Sequence, residues 1–190
     1  MKKIIAVLDA CVLYPAPIRD YLLNLAAQKL FYPKWSEQIH QEWMDNLLSN
    51  RPDLNHQQLD RTRSLMDEAF PNAIVQNYEK IEQKVTLPDP EDEHVLAAAI
   101  ESQSKFIVTF NLRDFPNEAL GAYKLQAINP DDFISRLIKS NPEDAIKALN
   151  EQVANLKKPP MSKNEVLLVL ESNGLKKSVQ KLRYILSYEQ

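Results

Sequence analysis

Glycine is nearly absent from this chain of 190 residues, which holds it only at positions 121 and 174. Loops that cradle phosphate groups depend on glycine, because their backbone approaches the ligand closely and adopts positive φ angles. The sequence contains neither a G-x-G-x-x-G segment nor a Walker A motif. These absences exclude dinucleotide cofactors and P-loop ATP chemistry from the expected functions.

Cysteine and histidine are also scarce. Cys11 is the single cysteine, so the chain cannot form an internal disulfide bond. The three histidines, His40, His56 and His94, do not show the short spacing of metal-ligand pairs. A zinc site built from cysteine and histidine is therefore disfavoured.

Positive charge does not dominate the composition, because the formal net charge is −3. By itself this balance does not indicate a nucleic-acid binder, which usually carries a basic surface. The charge is unevenly distributed: residues 1–138 contain 14 Lys/Arg and 20 Asp/Glu, whereas residues 139–190 contain 9 and 6. A mildly basic tail thus follows an acidic body.

No apolar run is long enough to cross a membrane. Lys2 and Lys3 resemble the start of a signal peptide, but the apolar run at 4–8 is short and ends at Asp9. The hydrophobic fraction of 44% is ordinary for a globular protein, and 190 residues can bury one sizeable core. We expect a soluble, cytoplasmic protein with no membrane association.

Strand-like and helix-like patterns alternate up to about residue 138, which predicts an α/β domain with a mainly parallel sheet. The predicted strands are residues 4–8, 30–32, 73–75, 105–109 and 125–128, and the predicted helices are 17–31, 36–48, 55–70, 90–100 and 130–137. The later pattern is helical only, with amphipathic segments at 142–156, 162–172 and 175–186. We predict two domains, residues 1–138 and a C-terminal helical segment of residues 139–190.

Acidic and polar side chains follow two of the predicted strands. Asp9 comes directly after the first strand, and Asn111 and Asp114 come after the strand at 105–109. Ligands of open α/β sheets gather at the carboxyl ends of strands, so these side chains share one crevice if the two strands are neighbours. The ordinary alternatives are a cap or turn role for Asp9, an Asx-turn for Asn111 and an ion pair with Arg113 for Asp114.

Further acids lie on predicted helices. Asp92 stands in the first turn of an alanine-rich helix, where the helix dipole alone favours an acid, and Asp89 fits the N-cap. Glu42 lies in mid-helix beside the apolar positions Ile39 and Trp43, although most glutamates on a helix surface are simply solvated. Each acid taken alone can be explained by capping, by the helix dipole or by solvation. The evidence for a functional site is that several such acids occur together.

Carboxylates that converge on one crevice repel each other, and their pKa values rise unless a cation balances the charge. Oxygen ligands without cysteine or histidine select Mg²⁺ or Mn²⁺. Such an ion activates water and stabilises charge on a phosphodiester, which predicts metal-assisted phosphodiester hydrolysis. A haloacid-dehalogenase-type phosphatase also opens with a strand that ends in Asp, but it needs a second Asp where this chain has Cys11.

Three segments resemble the motifs of PIN-domain ribonucleases. Residues 7–13, V-L-D-A-C-V-L, are similar to the opening of a PIN domain. Residues 89–99, D-P-E-D-E-H-V-L-A-A-A, resemble its third acidic motif, and residues 109–115, T-F-N-L-R-D-F, resemble its fourth. The last two strings are similar to the branch that includes VapC-like toxins, and the resemblance covers residues 3–137.

The resemblance assigns catalytic roles to four acids. Asp9 matches the first acid of the family, Glu42 the second and Asp92 the third. The fourth is Asp114 or Asn111, because the family often has Asp where this chain has Asn111. We predict Asp114 as the fourth catalytic residue, and Asp9, Asp92 and Asp114 as the metal ligands.

The same resemblance implies a Rossmann-like α/β/α sandwich, Mg²⁺- or Mn²⁺-dependent endoribonuclease activity and frequent homodimers. It also implies that RNA is the substrate and that the protein is a toxin held inactive by a small antitoxin protein. Beside the predicted site, Arg113 lies between Asn111 and Asp114. We predict Asn111 and Arg113 as substrate contacts, since arginine binds phosphate oxygens well.

Two other functions compete with this one. A degenerate PIN domain would hold RNA or a protein partner without cutting, although an intact set of four acids favours an enzyme. A DNA nuclease related to flap endonucleases would carry further acids and a helical arch, which the sequence does not show. The sequence leaves open which RNA is cut, whether the protein is toxic, its oligomeric state and the role of the C-terminal helices.

Overall fold

The computed structural model describes residues 3–188, which form two compact units. The first, the sheet unit, holds the described residues up to Tyr14 together with Tyr32–Ile128. The second, the helical unit, holds Pro15–Phe31 and the residues from Asn129 onward. In the described residues, no helix is both long and apolar enough to span a membrane.

The sheet unit is built on four parallel strands: β1 (Ile5–Leu8), β2 (Tyr32–Lys34), β3 (Phe106–Val108) and β4 (Gln126–Ile128). Their spatial order is β2-β1-β3-β4, so the order reverses between β1 and β3. Most residues of β1 and all of β3 are buried, as expected for strands covered on both faces. This sheet confirms the predicted α/β class.

The helices, in chain order, are α1 (Ala10–Leu13), α2 (Ala16–Ala27), α3 (Glu37–Asn50), α4 (His56–Ala69), α5 (Glu79–Glu82), α6 (Glu93–Glu101), α7 (Asn117–Leu120), α8 (Pro130–Ser140), α9 (Pro142–Asn155), α10 (Lys163–Ser172) and α11 (Lys176–Leu186). Short 3₁₀ turns cover Pro90–Asp92 and Gly121–Tyr123. Ser36 caps α3 by accepting a hydrogen bond from Ile39 N, and Asn55 caps α4 in a capping box with Gln58.

Two predicted strands differ from the structure. Leu30 belongs to the turn that ends α2, where its N–H donates to Leu25 O, so β2 begins only at Tyr32. The predicted strand at 73–75 forms a single bridge between Ile74 and Trp35. The pattern of apolar residues gave the approximate position of both segments. The first and last residues that pair as strand depend on hydrogen bonds with neighbouring segments, which this pattern does not show.

The helical unit groups α2 with α8 to α11. Tyr21 on α2 donates a hydrogen bond from its hydroxyl to Ala145 O on α9, and Gln152 Nε2 donates to Pro17 O. Leu149, like Tyr21, is fully buried. The C-terminal helices predicted from the sequence are confirmed, whereas their grouping with α2 was not predicted. The predicted domain boundary at residues 138/139 stays a prediction.

Candidate metal-dependent nuclease site

A cavity of about 700 Å³ opens at the carboxyl ends of β1 and β3, where the strand order reverses. This position is the usual ligand site of an open α/β sheet. Six carboxylic acids line the cavity: Asp9, Glu42, Asp89, Glu91, Asp92 and Asp114. Asn111 lines it as well, and no lysine or arginine does so within the described residues. The structure therefore brings the four acids predicted as catalytic to one cavity.

Asp9 is almost fully buried at the end of β1. It occupies the N-cap position of α1, yet its side chain makes no capping hydrogen bond. Its Oδ2 instead accepts hydrogen bonds from Thr109 Oγ1 at 2.6 Å and from Cys11 Sγ at 3.0 Å. In the part of the chain described, no hydrogen bond reaches Oδ1, so that oxygen is available to a cation.

Cys11 lies beside Asp9 and is a hydrogen-bond donor to it rather than a nucleophile. Burial, followed by the negative charge of Asp9, raises the pKa of the Cys11 thiol to about 12. A thiol with this pKa stays protonated at neutral pH, whereas nucleophilic attack needs the thiolate.

The pKa of Asp92 lies well above that of an ordinary aspartate. Burial raises its pKa to about 7, and the negative charges of Asp9, Asp114 and Asp89 add to this rise. Asp92 stands at the N-cap of α6 but makes no capping hydrogen bond, so helix capping does not explain it. Asp89 was predicted to cap the alanine-rich helix; it instead caps the 3₁₀ turn that precedes this helix, by accepting from Glu91 N at 3.0 Å.

The loop after β3 contributes two polar residues to the cavity. Asn111 N donates to Thr109 Oγ1 at 2.9 Å, and Asp114 N donates to Asn111 O at 3.1 Å. The turn is thus closed by the Thr109 hydroxyl and by the backbone, and among the described residues the Asn111 amide side chain makes no Asx-turn hydrogen bond. Both side chains line the cavity. Arg113 is exposed and is not part of the cavity lining.

Glu42 reaches the cavity from α3, where it contacts His94 of α6. The Nε2 atom of His94 lies 2.7 Å from Glu42 Oε1. Sequence analysis did not single out His94, which is buried in an otherwise apolar stretch of α6. The signal that could have identified it is this imidazole among buried valine, leucine and alanine side chains, because buried polar groups generally have a partner.

The donor set of this cavity fits a hard divalent cation. All of its candidate ligands are carboxylate or amide oxygens, which suit Mg²⁺ or Mn²⁺. Burial raises the pKa of Asp92 most, and the neighbouring carboxylates add to the rise, so a cation bound beside it would favour the ionised form. Within residues 3–188, no three His, Cys, Asp or Glu side chains form a preassembled metal cage. Mg²⁺ commonly keeps several waters and binds through one or two carboxylates, so it does not require such a cage.

Comparisons with known proteins identify similar families and a similar relative. A family model described as "PIN domain" matches residues 6–113, and one described as "VapC50 C-terminal domain" matches residues 130–184. The chain is 51% identical over 43 residues to "Putative ribonuclease VapC50" of Mycobacterium tuberculosis (strain ATCC 25618 / H37Rv). That match covers 23% of this chain and 25% of the relative, about a quarter of each. No solved structure matches the chain.

Proposed function

This chain belongs to the PIN-domain family, and we propose that it is a metal-dependent endoribonuclease that hydrolyses RNA phosphodiesters. The proposal rests on one observation above all. Asp9, Glu42, Asp92 and Asp114, which the sequence motifs select independently of any structure, line one acidic cavity at the switch point of the sheet. The name of its VapC50 relative, a ribonuclease, supports RNA as the substrate.

In the proposed mechanism, Asp9, Asp92 and Asp114 would hold Mg²⁺ or Mn²⁺, and the bound ion would supply a Lewis acid for the phosphodiester and for the attacking water. Thr109 and Cys11 fix the Asp9 carboxylate through its Oδ2. Glu42, the acid not assigned to the metal, accepts the proton of the attacking water. The water oxygen forms the new bond to phosphorus while the bond from phosphorus to the 3′-oxygen breaks, and the departing 3′-oxygen takes a proton from solvent water.

Substrate contacts are proposed for two residues of the loop after β3. The Asn111 amide is free of Asx-turn hydrogen bonding in the described structure and lines the cavity. Arg113 is exposed, and no carboxylate of the described residues lies within ion-pair distance of it. The ion pair with Asp114 that would have occupied this guanidinium is thus not formed. Arg113 therefore stays available to a phosphate just outside the cavity.

A biological role as the toxin of a type II toxin–antitoxin pair is part of the proposal. It is supported by the motif resemblance to VapC-like toxins and by the match of residues 130–184 to the VapC50 C-terminal domain. The proposed partner is a small antitoxin protein, with the enzyme acting in the cytoplasm as a homodimer. Co-expression with the product of the neighbouring gene tests this role, and restored growth together with co-purification is the expected result.

The enzymatic proposal is tested by cleavage of labelled RNA with the purified full-length protein in Mg²⁺, Mn²⁺ or excess EDTA. Asp92→Asn should lower the rate by more than about 100-fold, the upper end of what loss of an outer-shell ligand partner costs. Asp89→Asn is the matched control, because Asp89 lines the same cavity but caps a 3₁₀ turn, and asparagine caps equally well.

Three results would overturn the enzymatic proposal. Cleavage that persists in EDTA would show that the reaction needs no metal. Full activity of Asp92→Asn would show that the acidic cavity around Asp92 is not the catalytic site. Binding of both Mn²⁺ and RNA by the wild-type protein without any cleavage would favour the non-catalytic binding module.

A further inference from the structure

We propose that His94 is a positioning residue of the catalytic site, which holds the Glu42 carboxylate at the acidic cavity. This inference rests on the proposed nuclease function and extends it to a residue outside the four acids. His94 lies on α6, two positions after Asp92, and its Nε2 is 2.7 Å from Oε1 of Glu42 on α3. The contact therefore connects α3, which carries Glu42, to α6, whose N-cap residue is Asp92.

The burial of His94 makes its contact with Glu42 energetically important. Only 1% of the residue is exposed, and the residues that follow it, Val95 to Ala99, are all buried and apolar. Burying a polar ring in such surroundings costs free energy unless it has a partner. Among the described residues neither ring nitrogen has a hydrogen bond of regular geometry, so the 2.7 Å approach of Nε2 to Glu42 Oε1 is the polar contact that the buried ring makes.

Glu42 needs such a contact because of where it lies. About a third of its side chain is exposed, at 34%, and it shares the cavity with Asp9, Asp92 and Asp114. Like charges repel it from this cluster, and a free glutamate side chain samples several rotamers. The close contact of His94 Nε2 with Oε1 opposes both effects and leaves Oε2 for the reaction.

His40 shows what a purely structural histidine looks like in the same unit. It is fully buried on α3, and it is not part of the cavity lining. Its Nε2 lies 3.2 Å from Asp67 Oδ1, and its Nδ1 accepts a hydrogen bond from Trp43 Nε1 at 3.0 Å. Both nitrogens of His40 thus contact residues outside the cavity lining, whereas the polar contact of His94 is with Glu42, which lines the cavity.

Two substitutions of His94 separate positioning from packing. Gln can place a donor near the position of the imidazole Nε2, whereas Asn can reach only the position of Nδ1. His94→Asn should lower kcat by about 10- to 100-fold, as loss of partners that orient catalytic ligands does, with KM and Mn²⁺ affinity unchanged. His94→Gln should recover most of that loss. His40→Asn should destabilise the protein without lowering kcat of the folded fraction.

The experiment measures kcat and KM for RNA cleavage and, by electron paramagnetic resonance, Mn²⁺ binding of each folded variant. It includes Glu42→Gln with and without His94→Asn. If His94 acts through Glu42, His94→Asn has no further effect on kcat once Glu42 is replaced. Equal damage by Asn and Gln at position 94, or the same loss of kcat in both backgrounds, would overturn the inference. An inactive wild-type protein would instead overturn the proposed function, on which the inference rests.

Discussion

Thr109 Oγ1 lies 2.6 Å from Asp9 Oδ2 and connects the two strand ends that carry the acidic cavity. The hydroxyl of Thr109 donates to the acid that follows β1. It also accepts from Asn111 N, at 2.9 Å, in the loop that follows β3. One fully buried side chain therefore sets the position of Asp9 relative to the loop that bears Asn111 and Asp114.

Thr109→Val tests this connection, because valine has nearly the shape of threonine but lacks the hydroxyl. The Asn111 N–H loses its acceptor and Asp9 Oδ2 loses a donor, so stability should fall by about 1–3 kcal/mol. Mn²⁺ affinity should fall by about 10- to 100-fold, and Thr109→Ser should restore most of it. Urea unfolding and Mn²⁺ titration measure the two effects. Unchanged Mn²⁺ affinity in Thr109→Val would show that the hydroxyl does not organise the site.

The raised pKa of Asp92 predicts a pH dependence of the metal-free protein. The folded-state value of about 7 exceeds the ordinary value of 3.8, so the folded state holds this proton more tightly than the unfolded chain does. Stability is thus greatest below pH 4 as far as this group is concerned. It falls as the pH rises to about 7, by at most about 1.4 kcal/mol per pH unit.

Urea unfolding in EDTA between pH 5 and pH 8 checks this dependence. Asp92→Asn should show a flatter profile than the wild-type protein and should be more stable than it at pH 8. Mn²⁺ should bind more tightly at pH 8 than at pH 5, because protons compete with the metal for Asp92. Parallel stability profiles for the two proteins would mean that the Asp92 carboxyl titrates as it does in the unfolded chain.

Arg113 is predicted to contact a substrate phosphate. Arg113→Ala should weaken binding of RNA and reduce the slope of log affinity against log salt by about one unit. Arg61→Ala is the matched control, because Arg61 is an exposed arginine on α4 that does not line the cavity. Both variants change the net charge equally. A loss of salt slope that is the same in both variants would indicate a general charge effect rather than a contact at Arg113.

Asp131 stabilises the helical unit by joining α8 to the start of α11. This buried carboxylate accepts hydrogen bonds from Lys177 N and Ser178 N at 2.8 Å each, and from Ser178 Oγ at 2.7 Å. Asp131→Ala leaves these donors without their acceptor and should destabilise the protein by more than about 2 kcal/mol. Asp132→Ala removes the exposed ion pair with Lys177 and should cost much less stability than Asp131→Ala, because exposed pairs contribute little. Equal effects of the two substitutions in urea unfolding would contradict this role of Asp131.

The positions of the acids at strand ends were predictable because they depend only on residues that are near each other in the sequence. A buried apolar run followed by Asp9, and another followed by Asn111 and Asp114, require only that parallel strands end at the same edge of a sheet. The N-caps at Ser36 and Asn55 are local as well. For such features, the neighbouring residues contain nearly all of the information.

Contacts between distant segments were not predictable in this way. His94 and Glu42 lie on different helices, and periodicity gives the buried face of each helix but not the residue opposite it. For the same reason the amphipathic pattern of α2 did not indicate that it packs with the C-terminal helices. Thr109 was interpreted only as part of a strand and a motif, because the sequence around a buried hydroxyl does not show which distant residue it will hydrogen-bond.

The chemistry of the RNA ends produced by cleavage tests the central claim most directly. Hydrolysis by a metal-activated water leaves a 3′-hydroxyl on one fragment and a 5′-phosphate on the other, whereas attack by the neighbouring 2′-hydroxyl leaves a 2′,3′-cyclic phosphate. Mass spectrometry of the products should show 3′-hydroxyl and 5′-phosphate ends for the wild-type protein in Mg²⁺ or Mn²⁺. It should show no such products in EDTA or with Asp92→Asn. Cyclic phosphate ends, or identical products from Asp92→Asn, would contradict the assignment of this acidic cavity as a metal-dependent nuclease site.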